Sequence, residues 1–190
     1  MEIADYKEKI KLQFDIIKRT DSYISTTNNK AALLLAANAA SITIIANKID
    51  CFFFLFNKNM LYTLAFSLSI LIISSLVFLS IINSLRSILP TMHIPFSKKK
   101  ELITNTNQSS NISFVYIAKI TNPELYFQNY KDVNENTLLK DMCTQSLELS
   151  IIAQYKFSLF ISAVNNLKNA YFIIFLMVLL KTIDYINGVL

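Results

Sequence analysis

Between Lys58 and Arg86 the chain carries no charged side chain: Asn59 to Leu85 is a run of twenty-seven uncharged residues rich in Leu, Ile and Ser. Wound as a helix it measures roughly 40 Å, more than the ~30 Å hydrocarbon core of a bilayer. This is the length and polarity of a membrane span. A second uncharged run, Ala31 to Asn47, lies between Lys30 and Lys48. It covers roughly 25 Å, so it crosses either with its flanking lysines snorkelling or with the helix running on into Cys51–Phe56. The intervening NKIDCFFFLFNKN carries Phe52–Phe54 and Phe56, suited to an interfacial belt or the top of a hairpin. The two runs therefore predict a membrane hairpin over 31–86, with spans at about 31–49 and 60–85.

The rest of the chain divides around that hairpin. Residues 3–19 place Ile3, Tyr6, Ile10, Phe14 and Ile17 at helical spacing among charges, an amphipathic helix that either lies on the membrane or packs on the protein's own soluble part. The polar stretch from Asp21 to Asn29 then continues as helix or breaks at a cap. After Arg86 come Pro90, Pro95, the Lys98–Lys100 run and the mobile-loop composition of TNTNQSSN (Thr104–Asn111). SFVYIAKI follows, readable as a strand or a helix start, and Pro123 opens a short helix, PELYFQNYK. From about Glu135 a helix traces one face through Leu138, Met142, Gln145, Leu149, Ile152, Lys156 and Leu159. It continues into a third span at 167–186, with Lys168 at one interface and Lys181 and Asp184 near the other; a re-entrant segment at Phe157–Val164 is the lesser alternative.

The predicted fold class is thus mainly α and integral to the membrane: cytosolic amphipathic helix (1–30), hairpin (31–86), small helical cytosolic sensor domain (87–166) and third span (167–186). Of 190 residues, 53% are hydrophobic and 16% charged, with a mean hydropathy of +0.41. That is too apolar for an ordinary soluble domain, and about 110 residues remain outside the spans for a soluble part. Acids interleave with bases at the N-terminus with no apolar core, which excludes a secretory signal peptide. Lys and Arg number six in 1–30, two in 48–58 and eight from Arg86 to Lys156, so the positive-inside bias puts the N-terminus and the 86–166 region in the cytosol.

The same composition excludes much chemistry. The net charge of +5 is spread along the chain, not gathered on one helix, so no nucleic-acid footprint is expected. Cys51 and Cys143 fall on opposite sides of the membrane in this topology and cannot pair. With one His (His93), one Gly (Gly188) and no CxxC, the chain has no zinc cluster, phosphate loop or His-activated nucleophile. No catalytic residue, metal or cofactor is expected, and the chain reads as no enzyme.

Small and polar residues mark the first span. Ala32, Ala36 and Ala40 fall four apart, a row that allows close helix packing either on the protein's own second helix or between subunits of a homo-oligomer. Asn38, near mid-span, faces protein or water and is a candidate for an interhelical hydrogen bond or a pore wall. Ser67, Ser69, Ser74, Ser75 and Ser80 of the second span carry the same pair of readings.

Three blocks in this order, IKRTDSYISTTNNKAALLLAANAA, SFVYIAKITNPELY and LLKDMCTQSLELSIIAQYKF, resemble the membrane effectors of the Pycsar bacterial antiphage systems, which answer cyclic CMP or cyclic UMP. The resemblance runs from about Ile16 to Leu180. The chain departs from the family pattern at Asn28, where an acid is usual before Lys30-Ala31, and lacks the Gly-Asp pair that tends to precede Ile117–Lys119. Asp141, Gln145 and Lys156 stand at the family's separations.

What the resemblance implies is a homo-oligomeric, multi-pass protein of the bacterial inner membrane, gated by a cyclic mononucleotide from a partner cyclase. A cyclic nucleotide has one phosphate charge, a sugar and a planar base, so its pocket needs a cation, groups for the base edge and an aromatic or aliphatic face. Tyr116, Lys119, Asp141, Gln145, Tyr155 and Lys156 offer those groups. The competing account is that Asp141, Gln145 and Lys156 tie the soluble helices together, with Lys30 an interfacial anchor and His93 an ordinary interfacial residue. Other functional readings are an effector gated or held silent by a cyclic oligonucleotide, and a constitutive membrane anchor or scaffold without ligand.

Overall fold

The computed structural model of the chain describes residues 2–47, 60–90, 112 and 117–189. The aromatic turn with Cys51, the segment holding His93, Pro95 and Lys98–Lys100, the loop Thr104–Asn111, and Tyr116 lie outside the described residues. The described residues form four helices and no strand: α1 (Glu2–Asn47), α2 (Met60–Ile88), α3 (Pro123–Lys131) and α4 (Glu135–Val189).

Helix α1 joins the amphipathic segment and the first span without a break. Neither Gly nor Pro interrupts it. The hydroxyls that could compete with the helix instead bond back to it: Thr20 donates to the Ile16 carbonyl at 2.9 Å and Thr43 to Ala39 at 3.0 Å. α3 starts where Pro123, lacking an N–H, occupies the first turn and the Asn122 side chain accepts from the Glu124 N–H at 3.0 Å. α4 starts the same way, the Asn134 side-chain oxygen accepting from the Thr137 N–H at 2.7 Å. Ile117–Ile120 closes a turn through an Ile120 N–H bond to the Ile117 carbonyl.

The chain divides into two compact units, one of residues 1–26 and 90–155, the other of residues 27–89 and 156–190. In the first, the N-terminal part of α1 packs on α4: Ser146 donates to the Gln13 side-chain oxygen at 2.8 Å, beside buried Met142 and Thr20. Phe14, placed by its spacing on the inward stripe, is 63% exposed. Gln13 takes that place because its amide finds a partner on α4, while Tyr6, Ile10 and Ile17 are half-buried.

The second unit is an up-down-up bundle of α1, α2 and α4. Its inward positions recur every seven residues: Ala31, Asn38 and Ile45 on α1; Phe66, Ile73, Ser80 and Ser87 on α2; Lys156, Ala163 and Ala170 on α4. That is the period of knobs-into-holes helix packing. Ile73, Val77, Leu167 and Ala170 form the apolar core, with Leu34, Ile45 and Ile174 packed against it. Around the outside Leu33, Ile44, Leu64, Leu71, Phe78, Phe172 and Phe175 are all exposed. A belt of that size is tolerated in lipid and not in water. α1, α2 and α4 are each long and apolar enough to cross a membrane.

Candidate functional site

The largest fully buried side chains among the described residues are Asn38, Ser80, Ser84 and Ser87. All belong to the second unit, where they form a polar row beside the apolar core of Ile73, Val77, Leu167 and Ala170. On α2 the three serines are spaced i, i+4 and i+7, one continuous face. Asn38 Nδ2 donates to Ser80 Oγ at 3.1 Å, and Ser80 Oγ donates to the Ala163 carbonyl at 2.9 Å. Ala163 is fully buried, and its methyl group is small enough to let the backbones approach closely. One turn along α1, the Ser41 hydroxyl meets the Tyr171 hydroxyl of α4.

The row ends at Lys156. Its side chain is 3% exposed, and the three N–H groups of its ammonium are shared among four oxygens: the Ser87, Ile88 and Leu89 carbonyls, the last two at 3.4 and 3.0 Å, and Asn28 Oδ1 at 3.1 Å. Ser87 returns the contact by donating from Oγ to the Lys156 carbonyl at 3.2 Å. The last carbonyls of a helix have no partner within it and stand at the negative end of its dipole, which makes this a fitting seat for a cation. These four oxygens are all neutral, and a hydrogen bond from a charged group contributes about 1.5–3 kcal/mol.

Two atoms of the row have no hydrogen-bond partner: Asn38 Oδ1 and Ser84 Oγ. An unsatisfied buried acceptor or hydroxyl costs about 1–3 kcal/mol. The lipid-side serines avoid that cost: Ser67, Ser69 and Ser74 each donate to a carbonyl one turn back in α2.

The other residues singled out from sequence are distributed as follows. Asp141 and Gln145 share one face of α4, a turn apart and half-buried, and Gln145 Oε1 is buried with no hydrogen-bond partner. Tyr155 is half-buried, Lys119 is exposed in the turn before α3, and Tyr116 is outside the described residues. Lys119, Asp141, Gln145 and Tyr155 belong to the first unit, Lys156 to the second. Ala32, Ala36 and Ala40 all lie on the exposed side of α1, while Ala31, Asn38 and Ser41 face inward. Ser84, Ser87 and Tyr171 were not among the residues singled out from sequence; the signal for Ser87 was the seven-residue repeat through Phe66, Ile73 and Ser80, and Ser84 stands seven residues after buried Val77.

An open cavity of about 400 Å³ lies among Ile45, Phe66, Ile70, Ile73, Val77 and Met177. Among the described residues Ser74 is the one polar side chain in its wall and is bonded to its own helix, so that wall offers nothing with which to orient a charged nucleotide.

The model of the PycTM family, described as the Pycsar effector protein domain, matches residues 12–183. The Pycsar effector protein EcPycTM of Escherichia coli is 51% identical over 190 residues, covering 100% of both chains. No solved structure matches the chain. The matched region takes in all of α2, α3 and the polar row from Asn28 to Tyr171, and on that footing the chain belongs to the PycTM family of Pycsar effectors.

Proposed function

We propose that the protein is the membrane-acting arm of an antiphage response: a cyclic mononucleotide, cyclic CMP or cyclic UMP, binds the first unit, and the bundle in the second loses its seal. Membership of the Pycsar effectors is the observation that carries this reading. The charge distribution supports a bacterial inner-membrane location with the N-terminus in the cytosol, where a partner cyclase would release the nucleotide.

The nucleotide would be read by Asp141, Gln145, Tyr155 and Lys119, with Tyr116 beside them in sequence. Gln145 supports this choice because its buried amide oxygen lacks a donor that a base edge would supply. Lys156, grouped with them by sequence, has its ammonium engaged on α2 and Asn28, so its part in the response runs through the bundle. A ligand shifts a conformational equilibrium only by its difference in affinity for the two states, so the nucleotide must hold the first unit more tightly when the bundle is open. α1 and α4 contribute residues to both units and are the connection along which binding would act. The exposed Ala32, Ala36 and Ala40 supply a close-packing face for a homo-oligomer.

The test is dye release from liposomes holding the purified full-length chain, with cyclic CMP, cyclic UMP and cyclic dinucleotides added singly. Release with a pyrimidine cyclic mononucleotide alone is expected, and Asp141→Asn with Gln145→Leu should raise the concentration required by about tenfold or more. Release only with dinucleotides, release that stops when nucleotide is added, or no release with any of them would overturn the reading.

A further inference from the structure

Why a helix bundle with a lipid-facing exterior keeps its polar side chains inside is a question the fold itself raises. A membrane anchor has no need of Asn38, Ser80, Ser84 and Ser87 at its centre, since apolar and small residues pack a bundle without leaving polar atoms to satisfy. Here two of those atoms, Asn38 Oδ1 and Ser84 Oγ, are not satisfied at all, although both side chains are fully buried. Water would satisfy both. The sealed arrangement thus holds a face that is better solvated than packed, and something must keep it shut.

The contact that closes this row is the one at its end. Lys156 binds the end of α2 through the Ser87, Ile88 and Leu89 carbonyls and reaches Asn28 of α1, so a single ammonium joins all three helices of the bundle. A lysine suits a reversible contact. Its charge is a point on a flexible stem, it is strongly hydrated once free, and it needs no fixed geometry to release. Its four acceptors are neutral oxygens, so letting go strands no buried carboxylate. The Ser87 and Ser80 hydroxyls accompany it along this face, donating to the Lys156 and Ala163 carbonyls of α4.

We infer that Lys156 is the latch of the membrane unit, and that the row it closes, Asn38, Ser80, Ser84 and Ser87, is the lining along which water and ions pass once it is released. The nucleotide's part in this rests on the functional reading above; the latch and the lining rest on the geometry. Release would free α2 to turn away from α4, and the row would gain water in place of the two missing hydrogen bonds.

Four variants of the full-length chain in dye-loaded liposomes test it. Lys156→Met keeps the stem and removes the ammonium, and is expected to leak without nucleotide at several times the parent's resting rate. If Lys156→Met inserts and keeps its helicity yet is as tight as the parent, the latch is wrong. Should Lys156→Met fail to insert, Asn28→Asp decides: an anionic acceptor grips the ammonium harder, so about tenfold more nucleotide should be required for the same release, and an unchanged dose refutes the latch. For the lining, Ser84→Cys and Ser74→Cys are made with Cys51 and Cys143 replaced by Ser, and treated with an impermeant thiol reagent. Ser84→Cys should react at least several-fold faster in the leaking state than at rest, with Ser74→Cys unreactive in both; a Ser84→Cys that never reacts, or reacts equally at rest, removes the lining. A parent that ignores every nucleotide beside a Lys156→Met protein that leaks would sink the nucleotide reading and leave the latch standing.

Discussion

Asn28 and Lys156 are 128 positions apart in the chain and meet at 3.1 Å, the amide oxygen of one accepting from the ammonium of the other. The contact ties α1 to the same cation that caps α2, which makes it the most economical point at which to perturb the bundle.

Asn28→Ala should lower the stability of the solubilised bundle by about 1 kcal/mol, because the ammonium loses the acceptor that ties it to α1 and its three N–H groups are left to the α2 carbonyls alone. Thermal unfolding in detergent, followed by helix content, measures it. A loss of less than a few tenths of a kcal/mol would mean that the carbonyls alone hold Lys156.

Asn38 and Ser80 should be coupled. A double-mutant cycle with Asn38→Ala and Ser80→Ala is expected to give an interaction energy of about 0.5–1 kcal/mol, the range for hydrogen bonds between membrane helices. The pair Asn38→Ala and Ser74→Ala, in which the serine bonds only its own helix, should be additive.

Topology is open to a direct reading through the two cysteines. In the orientation proposed from the count of basic residues, Cys51 would lie outside the cell and Cys143, an exposed thiol on α4, in the cytosol. An impermeant thiol reagent applied to intact resting cells should label Cys51 and spare Cys143 until the membrane is permeabilised. Labelling of Cys143 alone would invert the orientation.

Ala36 faces outward, so Ala36→Leu leaves the protomer's own core untouched and acts only on what packs against α1 from outside. Cross-linking in detergent should show weakened self-association, with the helicity and unfolding temperature of the protomer unchanged. A strictly monomeric parent, with nucleotide and without, would remove the oligomer.

Most of the architecture was legible in the sequence because its causes are local. The absence of charge between Lys58 and Arg86 needs no neighbour to make a span, and Pro123 and Asn134 start their helices with chemistry confined to one turn. The face of α4 from Leu138 to Leu159 was equally plain, since Met142 and Lys156 are buried and the rest of that face is half-buried. Phe14 shows the limit of the method. Its spacing put it inward, but Gln13 had a partner on α4 and the helix turned accordingly.

By itself, then, the sequence determined that three helices are long and apolar enough to cross a membrane, that the last begins at Glu135 in the polar part of the chain, and that the charges flanking the spans are unevenly shared. Only the tertiary structure decided which side of each helix is inside. The row of alanines four apart and the row of inward residues seven apart both start in the same turn of α1, and packing against two other helices selects the second, because that period keeps one seam facing its neighbours along the whole length. It also decided the destination of Lys156. A lysine read alone offers a charge to any ligand, and whether that charge is free depends on carbonyls 67 to 69 positions away, brought within reach by the register of α2 against α4.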